Sequence, residues 1–134
     1  MKIQQISVFL ENTAGRLADV TKVLKDGGVN LRTLMIADTA DFGIIRIIVD
    51  DSDKGQDVLK KAGFTTRLTD VLAVTVVDKP GALFELMSVF QKNSINIEYM
   101  YAALGKSDNT AVIIFKVEDV ELAQKVVKEN GFDE

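Results

Sequence analysis

Hydrophobic and polar residues alternate along two segments of the chain, residues 3–10 and 71–77. A period of two places successive side chains on opposite faces of an extended backbone, so each segment is predicted to be a β-strand with one buried face. The period lengthens immediately afterwards, and residues 16–26 and 82–92 carry apolar side chains at i, i+3, i+4 and i+7. This spacing predicts two amphipathic helices, each with its apolar side against a sheet.

The same order of elements is predicted in both halves of the chain. Second strands are expected at about 29–37 and 95–104, third strands at 43–49 and 111–117, and second helices at about 53–62 and 119–129. Residues 64–70 can form a fourth strand in the first half, whereas only Asp133 and Glu134 follow Phe132 in the second. The predicted fold is therefore α+β, with two ferredoxin-like βαββαβ modules whose antiparallel sheets carry both helices on one face. The last strand of the second module is expected to be missing.

The two halves are copies of each other. At an offset of 66 residues Gly15 falls on Gly81 and Asn30 falls on Asn96. Two extra residues near 105–109 then change the offset to 68. Chance similarity between two apolar strands does not explain one register that continues through a strand, a glycine turn, a helix and the next strand. The chain is therefore predicted to be a tandem repeat.

No linker rich in Gly, Ser or Pro separates the copies, because Asp70 leads directly into Val71. We therefore expect a first module at residues 1–70 and a second at 71–134, packed side by side. Without a fourth strand the second module has an exposed sheet edge, which we expect another segment or chain to cover, unless the natural protein has a longer C-terminal tail. The third strands are apolar on both faces, which indicates either dimerisation through the helix-free face or apolar residues that merely fill strand positions.

Composition narrows the possible functions. The chain has 20 Asp and Glu against 16 Lys and Arg, so no nucleic-acid partner is predicted, since that would require a clustered basic face. No apolar run approaches the roughly 18 residues of a membrane span, and the N-terminus does not resemble a signal peptide, so a cytoplasmic protein without a membrane partner is expected. His and Cys are absent. No catalytic activity is predicted, because no activated nucleophile with a neighbouring base is apparent. No metal site and no cofactor are predicted either.

The turn from first strand to first helix carries the candidate chemistry in each copy. Gly15 and Gly81 let the backbone approach a ligand without a Cβ clash. The helix that follows presents unpaired N–H groups and the positive end of its dipole, which suit an α-carboxylate. Asn30 and Asn96, at the start of the second strands, offer donors and acceptors to the rest of a ligand. Together these groups provide the mixture of donors and acceptors that a zwitterionic amino acid needs.

Residues 78–83, DKPGAL, resemble the D-x-P-G-x-L signature of ACT domains, and residues 94–97, SINI, resemble the second landmark of that family, G-V-N-I. The first copy fits with Ala14 in the proline position and with GVNL at residues 28–31. The resemblance extends over the whole chain except a last strand, and the tandem layout is similar to stand-alone proteins with two ACT modules. It implies a non-catalytic regulatory protein or sensor.

In ACT proteins the ligand generally lies where two modules meet, between the first strand-to-helix loop of one and the second strand of its neighbour. The resemblance therefore implies a set of ligand-binding residues on those loops and strands: Asn12, Ala14, Gly15, Arg16, Leu17, Asn30, Leu31, Asp78, Pro80, Gly81, Ala82, Leu83, Asn96 and Ile97. It also implies a free amino acid as ligand, a homodimer, and an amino-acid-metabolism enzyme as the regulated partner.

Simpler interpretations of these residues remain open. Gly15 and Gly81 are compatible with being turn residues only, Arg16 with being a solvated charge, and Leu17 and Leu83 with being part of the core. A regulatory subunit or structural dimerisation domain with a vestigial ligand site is the alternative function.

Overall fold

The computed structural model describes residues 1–11, 13–38 and 42–132. These residues form six strands and four helices: β1 Lys2–Glu11, α1 Arg16–Asp26, β2 Leu31–Asp38, β3 Phe42–Val49, α2 Ser52–Lys61, β4 Thr65–Val77, α3 Ala82–Lys92, β5 Ile97–Leu104, β6 Thr110–Val117 and α4 Val120–Glu129. The predicted α+β class and the two ferredoxin-like modules are confirmed. None of the described helices is both long enough and apolar enough to cross a membrane.

The chain divides into two compact units, Gln4–Thr69 and Met1–Ile3 with Asp70–Glu134. We call them the first unit and the second unit. The division falls within β4, which is one strand of 13 residues, although the sequence predicted two strands, 64–70 and 71–77. Residues 65–77 contain no glycine or proline, so nothing in this segment favours a turn.

The first unit has the strand order β2-β3-β1-β4, with Thr65–Thr69 as its fourth strand. Strands β1 and β3 are antiparallel, with Ile6 opposite Ile47 and Val8 opposite Ile45. One buried cluster combines these side chains with both helices: Ile6, Val8, Leu10, Val20, Leu24, Val29, Ile45, Ile47, Val49, Leu59 and Phe64. Since α1 and α2 bury their apolar sides in this single cluster, both cover the same face of the sheet. Each such side chain contributes on the order of 1.5–3 kcal/mol when fully buried.

The second unit repeats this arrangement with the strand order β4-β6-β5. Its core also combines strands with both helices: Leu72, Val74, Val76, Ala82, Leu86, Phe90, Ile113, Phe115, Val117, Ala123 and Val127. Phe90 of α3 and Phe115 of β6 pack edge to face, with ring centroids 5.1 Å apart. Such a pair adds about 0.5–1.5 kcal/mol beyond the buried area.

Residues Met1–Ile3 complete the second unit. The carbonyl of Met1 accepts a hydrogen bond from the Ala73 amide at 2.8 Å, and the Met1 amino group donates to the Ala73 carbonyl at 2.9 Å. Lys2 Nζ lies 2.8 Å from Glu121 Oε1 on α4. In the described residues after α4 there is a turn but no further strand. The expectation that another segment covers this edge is therefore confirmed at Ala73.

The apolar residues on the second face of β3 and β6 differ in burial, from Ile48 and Ile114, which are buried, to Phe42, which is 63% exposed. Ile48 and Ile114 point away from the helices, because their neighbours Ile47 and Phe115 enter the two cores, yet both are buried. Burial within a single chain thus explains why these two positions are apolar although they lie on the face of the sheet without helices.

Candidate functional site

The loops before α1 and α3 have the same backbone geometry. Gly15 precedes α1 with φ of 89°, and Gly81 precedes α3 with φ of 87°. Both are left-handed conformations, which cost an L-residue roughly 1–2 kcal/mol. A Cβ atom built on either glycine would meet no heavy atom within 4 Å. The glycines therefore serve the turn conformation, and the space in front of the turn is open.

The N-termini of α1 and α3 differ from those of the other two helices. Asp51 accepts a hydrogen bond from Lys54 N at 3.1 Å to cap α2, and Asp119 accepts one from Leu122 N at 3.0 Å to cap α4. Among the described residues, no side chain caps α1 or α3. The first amide of each helix already donates to a carbonyl of its own loop, from Arg16 N to Thr13 O at 3.4 Å and from Ala82 N to Lys79 O at 3.3 Å. The amides that follow in the first turn are those that an external anion would engage, and the helix dipole favours negative charge at the same point.

Arg16 is held by two contacts within the first unit. Its guanidinium carbon lies 4.8 Å from the centroid of the Phe64 ring, and its Nη1 atom lies 3.2 Å from Asp19 Oδ2. A cation over an aromatic face is worth about 0.5–1 kcal/mol at an exposed site. Arg16 is therefore more ordered than a freely solvated charge, and it places a positive group beside the open end of α1.

Asn30 lies beyond the C-terminal end of α1, opposite the loop that contains Gly15. Helix α1 has 11 residues, so at 1.5 Å per residue about 16 Å separates its two ends. Beyond its C-terminus the Asn30 amide donates to Asp50 Oδ1 at 3.0 Å, and the Asn30 carbonyl accepts from the Asp50 amide at 3.0 Å. This exchange fixes the Asn30 backbone, while the residue itself is exposed. Asn96 is exposed at the corresponding place after α3.

The predicted residues thus form two groups in each unit. The loop groups are Ala14, Gly15, Arg16 and Leu17 in the first unit, and Asp78, Pro80, Gly81, Ala82 and Leu83 in the second. The strand groups are Asn30 with Leu31, and Asn96 with Ile97. Neither unit brings its own loop group to its own strand group. Asn12 lies outside the described residues.

The burial of three side chains in the loop groups was not predicted correctly from the sequence. Leu17 and Leu83 are 37% and 41% exposed, so the alternative that they belong to the core is wrong. Ala82 is buried in the core of the second unit, so its methyl group faces the sheet. The alternation of polar and apolar residues cannot distinguish these positions, because all three lie in the first turn of a helix.

Sequence reasoning missed the turn between β5 and β6. The Asp78 amide donates to the carbonyl of Asn109 at 2.6 Å, and Thr110 Oγ1 donates to the Ser107 carbonyl at 2.7 Å. This turn therefore borders the loop before α3. The signal in the sequence is the two-residue insertion near 105–109, which distinguishes the second copy from the first.

Comparisons with known proteins agree with this geometry. The sequence model of a family described as an ACT domain pair matches residues 1–133. No curated protein sequence matches significantly. Protein BT0572 from Bacteroides thetaiotaomicron is similar over 99% of this chain and 91% of its own, with 38% identity and a TM-score of 0.93. The regulatory subunit of aspartate kinase from Thermus thermophilus is similar over 96% of this chain and 94% of its own, with 17% identity and a TM-score of 0.70.

Proposed function

The chain belongs to the family of ACT domain pairs, and from that membership we propose that it is a non-catalytic regulatory protein that binds a free amino acid. The observation that carries the proposal is the repeated open turn: Gly15 and Gly81 are left-handed, and no side chain in the described part of the chain caps the helices that follow them. An α-carboxylate there would accept hydrogen bonds from the first-turn amides. The side chains of Asn30 and Asn96 would supply groups for the ammonium.

A loop group and a strand group can form one site only if they come from two neighbouring modules. Because neither unit joins its own loop group to its own strand group, we propose that a second copy of the chain completes the site. Leu34 and Ile36 on β2, an edge strand of the first unit, are exposed apolar side chains and support association along this edge. Light scattering is expected to give twice the chain mass of 14.7 kDa. Ile36→Lys should reduce that mass, whereas Leu122→Lys on α4 should leave it unchanged.

The regulated partner in this proposal is a separate enzyme of amino-acid metabolism. The regulatory subunit of aspartate kinase from T. thermophilus has the same fold and supports a role of this kind. The chain's lack of His and Cys fits a binding role rather than catalysis.

A thermal-shift screen of the twenty amino acids at millimolar concentration tests the proposal. A ligand at 100 times its Kd adds about 2.7 kcal/mol of stability, so the Tm is expected to rise by several degrees with at least one amino acid. Gly15→Val or Gly81→Val should remove the shift at the altered site. Gly131→Val is the matched control, because Gly131 is also left-handed, with φ of 80°, but lies outside both loops.

The control separates lost binding from general destabilisation. If all twenty amino acids leave the Tm unchanged while light scattering still gives a dimer, the alternative of a structural dimerisation domain is favoured. If the three valine variants retain the same shift, the site has been placed on the wrong loops.

A further inference from the structure

The helix-free face of the first unit contains buried polar side chains. Gln5 and Ser7 alternate along β1 with Ile6 and Val8, which enter the core, so they point to the face without helices. Gln5 is 0% exposed and Ser7 is 8% exposed, and among the described residues these are the two buried polar side chains. Gln5 Nε2 donates a hydrogen bond to Ser7 Oγ at 3.2 Å.

The second copy shows that the fold does not require polar residues here. At the offset of 66, Gln5 falls on Val71 and Ser7 falls on Ala73, and both apolar residues are buried as well. Burying a polar group costs free energy that an apolar residue at the same place avoids. Since the same sheet is built with Val and Ala in the second unit, the polar pair in the first unit indicates a function.

Two arginines lie on either side of Ser7. Arg46 is directly opposite Ser7 in the β1–β3 ladder, and it points to the helix-free face because Ile45 and Ile47 enter the core. The second copy has Ile114 in place of this arginine.

The other arginine is on β4. Met1 and Ala73 exchange two backbone hydrogen bonds, and continuing that antiparallel register along β1 and β4 places Arg67 opposite Ser7. Leu68 packs against the core, so its neighbour Arg67 points to the helix-free face.

This arrangement suits an oxyanion. Neighbouring strands are about 4.8 Å apart, so the two arginine Cα atoms are roughly 10 Å apart, within the combined reach of two long side chains. A guanidinium donates two parallel N–H bonds to a carboxylate or phosphate. The oxygen of Ser7 accepts from Gln5, which leaves the hydroxyl hydrogen to be donated. Three side chains with donor groups therefore lie in one row of the sheet.

An exposed aromatic ring lies next to this row. Phe9 is two residues from Ser7 on the same strand and the same face, opposite Ile44, and it is exposed. We propose that this face of the first unit binds a small molecule with a phosphate or carboxylate group held by Arg46, Arg67 and Ser7, and with an apolar part on Phe9. The site consists of strand residues and is independent of the amino-acid loops.

The repeat supplies the variants for the test. Ser7→Ala and Arg46→Ile install the residues that the second copy already folds with, and Arg67→Gln removes the other cation. The probes are inorganic phosphate and succinate, each titrated against chloride at constant ionic strength and followed by amide chemical shifts. Neither probe carries an ammonium group, so neither is a ligand of the type proposed for the loops. A response to one probe alone identifies the oxyanion as phosphate or carboxylate.

At least one probe is expected to shift the amides of Ser7, Phe9 and Arg46. Arg46→Ile and Arg67→Gln should each weaken binding tenfold or more, while Arg32→Gln on β2 should have no effect. The Tm of the triple variant Gln5→Val, Ser7→Ala and Arg46→Ile, which leaves no buried amide without its acceptor, should not fall below that of the wild type, whereas a purely structural role would lower it.

Three results would overturn the proposal. They are the absence of any shift up to tens of millimolar of both probes, equal binding by wild type and the two arginine variants, and shifts confined to residues 13–17. Gly15→Val should leave phosphate binding intact, although it should remove amino-acid binding at the loop. Failure of the oxyanion proposal and failure of the amino-acid proposal can therefore be distinguished.

Discussion

At the scale of single residues, the sequence predicted the glycines of the turns but not every left-handed position. Gly15 and Gly81 are left-handed, as a glycine between a strand and a helix suggests. After α1 the left-handed residue is Gly28, with φ of 70°, whereas its counterpart after α3 is Ser94, with φ of 55°. No local signal marks Ser94, because serine avoids this region and only the surrounding fold imposes it.

Ser94→Gly is therefore expected to stabilise the protein by about 0.5–1 kcal/mol, because it relieves the left-handed strain while losing some chain entropy. Thermal denaturation provides the measurement. Gly28→Ser, the reverse exchange in the first copy, should lower the Tm. A lower Tm for Ser94→Gly would show that the serine side chain contributes more than its backbone costs.

A second residue-scale expectation concerns pH. The hydrogen bond to Glu121, together with the attraction of Glu121 and Asp70, raises the pKa of Lys2 above its ordinary 10.5. A raised pKa means that the folded chain holds the proton more tightly, so the stabilisation is fully present below pH 10.5 and is lost as the pH rises through the raised value. The wild type should exceed Lys2→Gln in stability at neutral pH, and the difference should vanish at strongly alkaline pH. A difference that persists there would exclude the ion pair as its cause.

At the scale of elements, the hydrophobic period predicted α1 and α3 correctly to the residue, at 16–26 and 82–92. The left-handed Gly28 gives the end of α1 a local cause, whereas no local signal marks the end of α3, where Ser94 is left-handed. The boundary between the last strand of the first module and the first strand of the second has no such cause, and there the structure has a single β4. The pairing of Met1–Ile3 with β4 could not be predicted either, since residues far apart in sequence give no local pattern.

The N-terminal segment is expected to stabilise the second unit specifically. Removing residues 1–3 deletes both hydrogen bonds to Ala73 and the ion pair with Glu121. Hydrogen exchange should then be faster at the Ala73 amide and in β4 beyond it, because an unpaired edge amide opens more readily. Amides of α1 and α2 in the first unit serve as the internal control. Unchanged exchange at Ala73 would mean that the pairing contributes little.

At the scale of the whole molecule, repetition made the fold predictable, and the family resemblance implied a site between modules. One register through two copies fixed the number of modules and the positions of the two loops. The sequence also identified Asn30 and Asn96, but it could not show that α1 and α3 separate them from the loops of their own units. That separation depends on helix length and direction, and it supports the proposal that a neighbouring module completes the site.

The pairing of Met1 with Ala73 has a consequence for how the chain could be rearranged. At the offset of 66, residues 67–69 correspond to Met1–Ile3, and β1 corresponds to the part of β4 that begins at residue 68. A circular permutant that joins residue 134 to Met1 and opens the chain between Thr66 and Arg67 is expected to fold with a Tm close to that of the wild type. Opening the chain inside α1 instead should prevent folding.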